Sequence, residues 1–319
     1  MSRIVVMGAG LGGMSAAYEL RDTLGKGHEI TLVGKGDLFG FTPSNPWLAV
    51  GWRKPEDITL KVADHVGKHG ITFNADGAER IDADGDAVVT ATGERIPYDY
   101  LLICTGPKLA FEEVAGTGPE TGHTQSICTT QHAQHAWTAY QAFLDNPGPI
   151  VIGAVQGASC FGPAYEFAMI LDADLRKRKL RDKVPITYVS SEPYIGHMGL
   201  GGVGDSKGLL ESEFRQRHIK WIVNARITGV EAGSMAVDEM DARGQVLAQH
   251  VLPFKYSMVL PAFTGVDAVR VAKDMCNPRG FVLIDAHQRN PTYRNIFSAG
   301  VCVAIPPVEA TPVPTGAPK

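Results

Sequence analysis

The sequence has little of what marks several large classes of protein. Its 30 lysines and arginines face 34 aspartates and glutamates, so no basic excess indicates a nucleic-acid partner. No uninterrupted apolar run reaches the roughly 18–20 residues that a transmembrane helix needs. The N-terminal IVVM is too short to be the core of a signal peptide. With 44% hydrophobic residues, the composition predicts a soluble globular protein.

The cysteines are too few and too scattered to form a disulfide framework. There are five, an odd number, and no two of them form a C-x-x-C pair. The same scatter predicts no structural zinc site, and we expect no metal. A lone cysteine is usually a small buried hydrophobe, and we expect this of Cys104, Cys276 and Cys302.

Glycine is abundant, and three glycines form a motif near the start of the chain. Gly8, Gly10 and Gly13 fit G-x-G-x-x-G, directly after a strand-like stretch and at the start of an amphipathic helix. This pattern predicts dinucleotide binding, because the glycines let the backbone and the helix N-terminus approach a pyrophosphate. The second strand, HEITLVG, does not end in the acid that usually binds ribose. Backbone near Gly34 and Lys35 would take that contact, which weakens NAD as the ligand more than FAD.

A second strand, turn and helix surround the sequence GASCFGPAYE. Its glycines Gly153, Gly157 and Gly162 are spaced too far apart for G-x-G-x-x-G. Cys160 lies at the predicted N-terminus of the helix. The positive end of a helix dipole favours a thiolate, so we expect a lowered thiol pKa at Cys160. The turn is therefore predicted to carry a reactive sulfur in place of a phosphate.

Between these motifs lies a predicted β-meander, followed by the buried strand YLLICTG. This order resembles the two-dinucleotide flavoproteins, with Thr105 and Gly106 in their "ATG" segment and Gly300 ending a late strand. The fold class expected is α/β, with two Rossmann-like (FAD/NAD(P)-binding, glutathione-reductase-like) domains that have parallel sheets and small antiparallel β-meanders. We assign 1–115 and 282–319 to an FAD-binding domain, and 116–281 to a second Rossmann-like domain carrying Cys128 and Cys160.

Five motifs together resemble the sulfide:quinone oxidoreductases: SNPW at 44–47, QSICTTQHA around Cys128, GASCFGPAYE, SEPYIGHMG and the C-terminal PPVEATPVPTGAPK. The resemblance implies FAD as cofactor, sulfide and ubiquinone or a related quinone as substrates, and a membrane-peripheral location. It allows a homo-oligomer. Members of the family continue beyond the position of Lys319, so we expect a flavin-covering and membrane-docking region with a third cysteine to be absent here.

The resemblance also implies roles for individual residues. On the sulfide side it implies the catalytic residues Cys160, Cys128, His132, His197 and Glu166. Near the quinone it implies Phe41, Pro43 and Asn45. For cofactor binding it adds Ala78 and Lys319 to Gly8, Gly10, Gly13, Gly34, Lys35, Thr105, Gly106 and Gly300.

Three other functions stay open at this point. One is a type II NADH:quinone dehydrogenase, which an intact second glycine motif would have favoured. Another is the flavoprotein subunit of a sulfide dehydrogenase that passes electrons to a cytochrome. The last, from a different class, is a non-catalytic flavin-binding or sulfur-sensing protein.

Overall fold

The computed structural model describes residues 1–316 and divides the chain into two units. The first unit consists of Met1–Gly40, Thr59–Lys108 and Thr264–Ala304. The second consists of Phe41–Ile58, Leu109–Phe263 and, within the described residues, 305–316. The sequence-based boundaries differ from this division, since they assigned 41–58, 109–115 and 305–316 to the first domain and 264–281 to the second.

The strands, in chain order, are β1 (Arg3–Met7), β2 (Glu29–Val33), β3 (Leu38–Gly40), β4 (Thr59–Lys61), β5 (Thr72–Asn74), β6 (Ala78–Asp82), β7 (Ala87–Thr90), β8 (Arg95–Pro97), β9 (Tyr100–Ile103), β10 (Lys108–Ala110), β11 (Ile150–Ala154), β12 (Ile186–Ser190), β13 (Ile219–Ile222), β14 (Ala225–Glu231), β15 (Ser234–Met240), β16 (Val246–Pro253), β17 (Tyr256–Leu260), β18 (Ala262–Thr264) and β19 (Ile296–Ser298).

The α-helices are α1 (Leu11–Leu24), α2 (Asn45–Leu48), α3 (Pro55–Ile58), α4 (Val62–Val66), α5 (Thr130–Asp145), α6 (Gly162–Lys177), α7 (Ser206–Gln216) and α8 (Asp267–Arg270). Short 3-10 turns lie at Gly25–Gly27, Thr42–Ser44, Gly67–His69, Phe111–Glu113 and Arg181–Lys183. Within residues 1–316, no helix combines the length and the apolar character that crossing a bilayer requires.

The first unit is built on a five-stranded parallel sheet in the order β19-β9-β1-β2-β5. Its central strand β1 is buried from Ile4 to Met7, as expected for a parallel strand covered on both faces. Strand β1 connects to β2 through α1, and β6, β7 and β8 form an antiparallel meander. The carboxyl ends of β1, β2, β9 and β19 therefore lie at one edge of the sheet, where open α/β sheets bind ligands.

The second unit has a four-stranded parallel sheet in the order β13-β12-β11-β17 and an antiparallel sheet β14-β15-β16. All residues of β11 and β17 are buried, and α5 and α6 contribute aromatic side chains to the core beside them. The predicted α/β class with two Rossmann-like units is confirmed, and so are the parallel sheets and the small antiparallel ones.

Candidate functional site

The first glycine turn leaves the N-terminus of α1 open. Gly8 has φ +114°, a conformation that favours glycine, and a Cβ on Gly13 would lie 1.6 Å from the Gly8 carbonyl oxygen. Gly10 caps α1 without any side-chain hydrogen bond, and a Cβ there would meet nothing within 4 Å. Close packing at Gly13 and open space at Gly10 fit a phosphate at this turn.

The other residues predicted to bind the cofactor lie at the same edge of the first sheet or beside it. Thr105 and Gly106 follow β9, and Gly300 follows β19. Both of these glycines have positive φ and open space where a Cβ would stand. Gly34 follows β2 and is buried, Lys35 is exposed, and half-buried Ala78 begins β6. Together these residues fit a bound dinucleotide, whereas Lys319 lies outside the described residues.

In the second unit, the chain itself covers the corresponding turn. The Gly157 N–H donates to the Pro314 carbonyl at 2.6 Å, and the Gly316 N–H donates to the Ala158 carbonyl at 2.8 Å. A Cβ on Gly316 would lie 2.2 Å from Ser159 Oγ. We call residues 311–316 the covering segment. In a Rossmann unit the pyrophosphate binds at this turn, so the covering segment stands where a nicotinamide dinucleotide would bind.

Gln156 fixes the same turn from its other side. Its Nε2 donates to the Ile227 carbonyl at 3.0 Å, and its Oε1 accepts from the Ile227 N–H at 3.1 Å. The turn is thus held by β14 as well as by the covering segment. Sequence reasoning found the loss of the glycine motif but missed both of these attachments.

Cys160 lies in this turn, directly before Phe161, the N-cap residue of α6. The thiol is half-buried, and burial raises its pKa. The expectation of a lowered pKa at Cys160 is therefore wrong. The cause is desolvation, because burial disfavours the charged form of a thiol.

Cys128 lies just before α5 and close enough to Cys160 for the two thiols to interact electrostatically. Burial raises the pKa of Cys128 to about 12; a hydrogen bond with the Ser126 side chain opposes the rise, and Cys160 adds to it. The fold thus brings the two predicted cysteines together. Among the described residues, no group of three His, Cys, Asp or Glu side chains could hold a metal ion.

His132 lies in the first turn of α5, where its backbone N–H donates to the N-cap hydroxyl of Thr129 at 3.0 Å. Its ring is buried, and both ring nitrogens have partners. Nδ1 lies 3.1 Å from Ser126 Oγ, and Nε2 lies 2.8 Å from Glu120 Oε1. The Glu120 side chain is 54% exposed, so this buried imidazole is connected to a carboxylate in contact with solvent.

His197 has the same kind of arrangement on a different loop. Its ring is fully buried, and Nδ1 accepts from the Gly199 N–H at 3.1 Å. The neutral ring therefore carries its proton on Nε2, which lies 2.6 Å from Glu309 Oε1. The Glu309 side chain is 52% exposed.

A buried carboxylate holds the His197 loop in place. Glu192 Oε2 accepts from Tyr165 at 2.7 Å and from Ser190 at 2.6 Å, and Oε1 accepts from the Met198 N–H at 2.6 Å. Burial raises the pKa of Glu192 despite these donors. Because Met198 is next to His197 and has φ +59°, these bonds fix a backbone turn that orients the imidazole.

The remaining predicted residues differ in their surroundings. Glu166 is exposed on α6, and partial burial raises the pKa of its carboxyl group. Phe41 and Pro43 are exposed. Asn45 is fully buried, and its Nδ2 donates to the Ile127 carbonyl at 3.0 Å. Asn45 therefore supports the segment that carries Cys128.

Sequence reasoning missed four polar residues of this site: Ser126, Glu120, Glu192 and Glu309. The capping spacing from Thr129 to His132 could have placed His132 at a helix start, and the serine two residues before Cys128 is typical of a hydroxyl-stabilised turn. No local signal pairs His197 with Glu309, since these residues are 112 positions apart.

Comparison with known proteins identifies the family to which the chain belongs. The family model described as pyridine nucleotide-disulphide oxidoreductase matches residues 2–317. The sulfide-quinone reductase of Aquifex aeolicus (strain VF5) is 45% identical over 318 residues, covering 99% of this chain and 72% of that protein. The chain belongs to the sulfide:quinone oxidoreductase family. These enzymes are FAD-binding flavoproteins that oxidise sulfide and pass electrons to quinone, and the resemblance seen in the motifs is confirmed.

Comparison with solved structures distinguishes similarity at the level of the family from similarity of the fold alone. The X-ray structure of the sulfide:quinone oxidoreductase from Aquifex aeolicus has a TM-score of 0.93 and 44% identity, covering 100% of this chain and 72% of that one. The structure of NDH2 from Plasmodium falciparum in complex with NADH has a TM-score of 0.73 and 14% identity, covering 95% and 64%. The second likeness shows the shared fold alone.

Proposed function

We propose that this chain oxidises sulfide with FAD as its bound cofactor and passes two electrons to a quinone. One observation carries the proposal: the second dinucleotide turn holds Cys160 and is covered by the chain's own residues. A nicotinamide cofactor has no free phosphate cradle at that turn. Instead of a nicotinamide cofactor, the turn has the Cys160 thiol with the Cys128 thiol near it, and such a pair of thiols can bind sulfur. Membership of the family supports the same conclusion.

The sulfur chemistry follows from the two thiols. Joining one hydrosulfide ion to the Cys160 thiol forms a persulfide and releases two electrons and one proton. When bound at the first glycine turn, FAD supplies the two-electron acceptor between sulfur and quinone. Cys128 interacts with Cys160 and is therefore suited to accept the sulfur atom next.

Proton handling and quinone access use other residues. His132 and His197 each join a buried ring to a half-exposed glutamate, an arrangement suited to moving the released proton to solvent. Glu166, with its raised carboxyl pKa, is a further acid or base on α6. Exposed Phe41 and Pro43 offer apolar surface to a quinone. Because such quinones dissolve in lipid, we extend the proposal to a membrane-peripheral location. The side of the membrane, a homo-oligomer and a flavin contact by Lys319 stay predictions.

Anaerobic visible spectroscopy of the purified flavoprotein tests the proposal. Sulfide should bleach the flavin band, a ubiquinone analogue should restore it, and NADH should leave it unchanged. Cys160→Ser should abolish the bleaching by sulfide, since it removes the sulfur acceptor. Cys276→Ser is the matched control, because Cys276 is a partly buried thiol of the first unit whose Sγ lies 3.7 Å from the Val269 carbonyl oxygen.

Other outcomes would point to the alternative functions. Bleaching by NADH but not by sulfide would make the chain an NADH dehydrogenase. Reoxidation by cytochrome c but not by quinone would indicate the flavoprotein subunit of a sulfide dehydrogenase. Flavin that stays oxidised with either reductant would indicate a non-catalytic flavin-binding protein.

A further inference from the structure

We propose that Ser126, His132 and Glu120 form a proton path that carries the Cys128 proton to solvent. This path rests on the proposed function in one respect: sulfur transfer to Cys128 is what requires its thiol to lose a proton. The path begins at Cys128, whose backbone N–H donates to Ser126 Oγ at 3.2 Å and whose thiol pKa is lowered by a hydrogen bond with the same side chain. It continues from Ser126 Oγ to Nδ1 of His132 at 3.1 Å, and from Nε2 of His132 to Glu120 Oε1 at 2.8 Å. Ser126 and Glu120 are thereby assigned to the reaction as positioning residues.

Ser126 is the connecting group, and its hydroxyl has enough hydrogen-bonding positions for this role. A hydroxyl has one donor and two acceptor positions. Ser126 is fully buried, and its Oγ accepts from the Cys128 N–H at 3.2 Å. One donor and one acceptor position remain. Nδ1 of His132 lies 3.1 Å from Oγ, and a hydrogen bond with Ser126 lowers the pKa of the Cys128 thiol.

Two different placements of the protons are compatible with the same positions of the sulfur, oxygen and nitrogen atoms. In the first, the Cys128 thiol donates to Ser126, Ser126 donates to Nδ1, and the Nε2–H of His132 donates to Glu120. In the second, Nδ1–H donates to Ser126, and Ser126 donates to the Cys128 thiolate. The change moves one proton from sulfur to the imidazole, and no heavy atom has to move.

The proton then has a way out of the buried site. The imidazolium formed in the second arrangement can release its Nε2 proton to Glu120, which lies 2.8 Å away. Because the Glu120 side chain is 54% exposed, its carboxyl group exchanges the proton with water. The Phe111 ring also packs against the His132 ring in an edge-on contact, with the ring centroids 5.9 Å apart.

The charged and titratable surroundings of the thiol are few. Besides burial, the Cys128 thiol is affected by the Ser126 hydrogen bond and by Cys160, whose negative charge would oppose ionisation. Cys160 comes from the turn before α6, and Ser126 and His132 come from the segment around the start of α5. Ser126 is thus the group that favours the thiolate of Cys128.

Alkylation of Cys128 by iodoacetamide tests the path without any turnover. The purified flavoprotein is labelled without sulfide between about pH 6 and pH 10, and the initial rates at Cys128 and Cys160 are read from the same digests by mass spectrometry. Since only the thiolate reacts, Ser126→Ala and His132→Asn should each slow Cys128 about tenfold at neutral pH, which is one pKa unit. The rate at Cys160 should not change. Ser126→Thr should react like the wild type, because it keeps the hydroxyl.

Glu120→Gln is a second variant that leaves the core intact. It should slow Cys128 alkylation by a smaller factor, whereas Glu112→Gln, which removes another exposed carboxylate from the same region, should not. An unchanged Cys128 profile in both Ser126→Ala and Glu120→Gln would overturn the proposal. Equal slowing at Cys160 and Cys128 would do the same, because it would indicate a general structural change. Failure of sulfide to bleach the wild-type flavin would refute the proposed function and leave the alkylation result intact.

Discussion

The two glycine turns of this chain share a backbone plan and differ in what occupies them. Each turn follows an inner strand of a parallel sheet, β1 or β11, and leads into a long helix, α1 or α6. In the first turn, Gly10 caps its helix with no side-chain partner and has open space around it. In the second, Gly157 donates its N–H to Pro314. A strand, turn and helix thus define a place for a ligand, and the hydrogen bonds of the turn decide whether the place is free.

A cysteine lies beside the first turn and another lies within the second, and the comparison extends to these thiols. In the first unit, Cys104 directly follows strand β9. Its Cβ lies 3.5 Å from the position that a Cβ on Gly13 would take. It is buried, and burial raises its pKa to about 12. Cys160 lies within the second turn and is half-buried. The first thiol is part of the packing, as predicted, and the second is accessible enough to react.

The largest effect should come from closing the first turn. Gly13→Ala places a Cβ 1.6 Å from the Gly8 carbonyl oxygen, so the backbone has to move, at an expected cost of at least about 3 kcal/mol. Flavin should be lost with the geometry of the turn. Flavin absorbance per polypeptide and the unfolding temperature measure both effects.

Gly10→Ala is the matched variant, because its Cβ meets no protein atom within 4 Å. It should keep the stability of the flavin-free protein and reduce flavin retention alone. If Gly13→Ala retained flavin as fully as the wild type, the first turn could not be the phosphate site.

An intermediate effect should follow from opening the second turn. Gly316→Ala places a Cβ 2.2 Å from Ser159 Oγ and 2.4 Å from the Gly157 carbonyl oxygen, which should release the covering segment. Losing its two backbone hydrogen bonds to the turn should cost about 2 kcal/mol, equivalent to about a thirtyfold larger open population. Limited proteolysis within 305–316 and the iodoacetamide reactivity of Cys160 should both increase.

Pro314→Ala provides the control, since it removes an exposed ring and keeps the carbonyl that accepts from Gly157. Proteolysis of this variant should match the wild type. Equal protection of the Gly316→Ala and wild-type proteins would show that the covering segment does not close the turn.

The smallest effect concerns alkaline pH. In the unfolded chain a cysteine ionises near pH 8.5, whereas folded Cys104 stays neutral up to about pH 12. The stability due to Cys104 is therefore complete below about pH 8.5 and decreases as the pH rises through this window, by about 1–2 kcal/mol at pH 10. Denaturant unfolding at pH 8 and pH 10 measures the decrease.

Cys104→Ala should flatten this pH dependence more than Cys160→Ala, because the pKa of Cys104 is shifted further. Equal slopes in the two variants would mean that the two turns do not differ in how they bury their thiols.

Local patterns in the sequence predict much of this structure. Glycine spacing and short apolar stretches identified both turns, because a tight strand-to-helix connection needs specific residues at specific positions. The attachment of Pro314 and Gly316 to the second turn leaves no such pattern, since any residue with a free carbonyl or N–H can make these bonds. The thiol pKa of Cys160 was mispredicted for a related reason: the helix end is a local feature, whereas burial depends on segments distant in the chain.

The covering segment also has a consequence for the order in which the protein is made. The turn at 157–158 is synthesised well before residues 314 and 316, which complete its hydrogen bonds. At usual rates of about 5–20 residues per second, the ribosome needs roughly 10–30 s to add the residues in between. During that interval the nascent chain presents an uncovered turn with Cys160 in it. The finished enzyme presents this uncovered surface far less often, so a chaperone or a cellular oxidant would meet it mainly during translation.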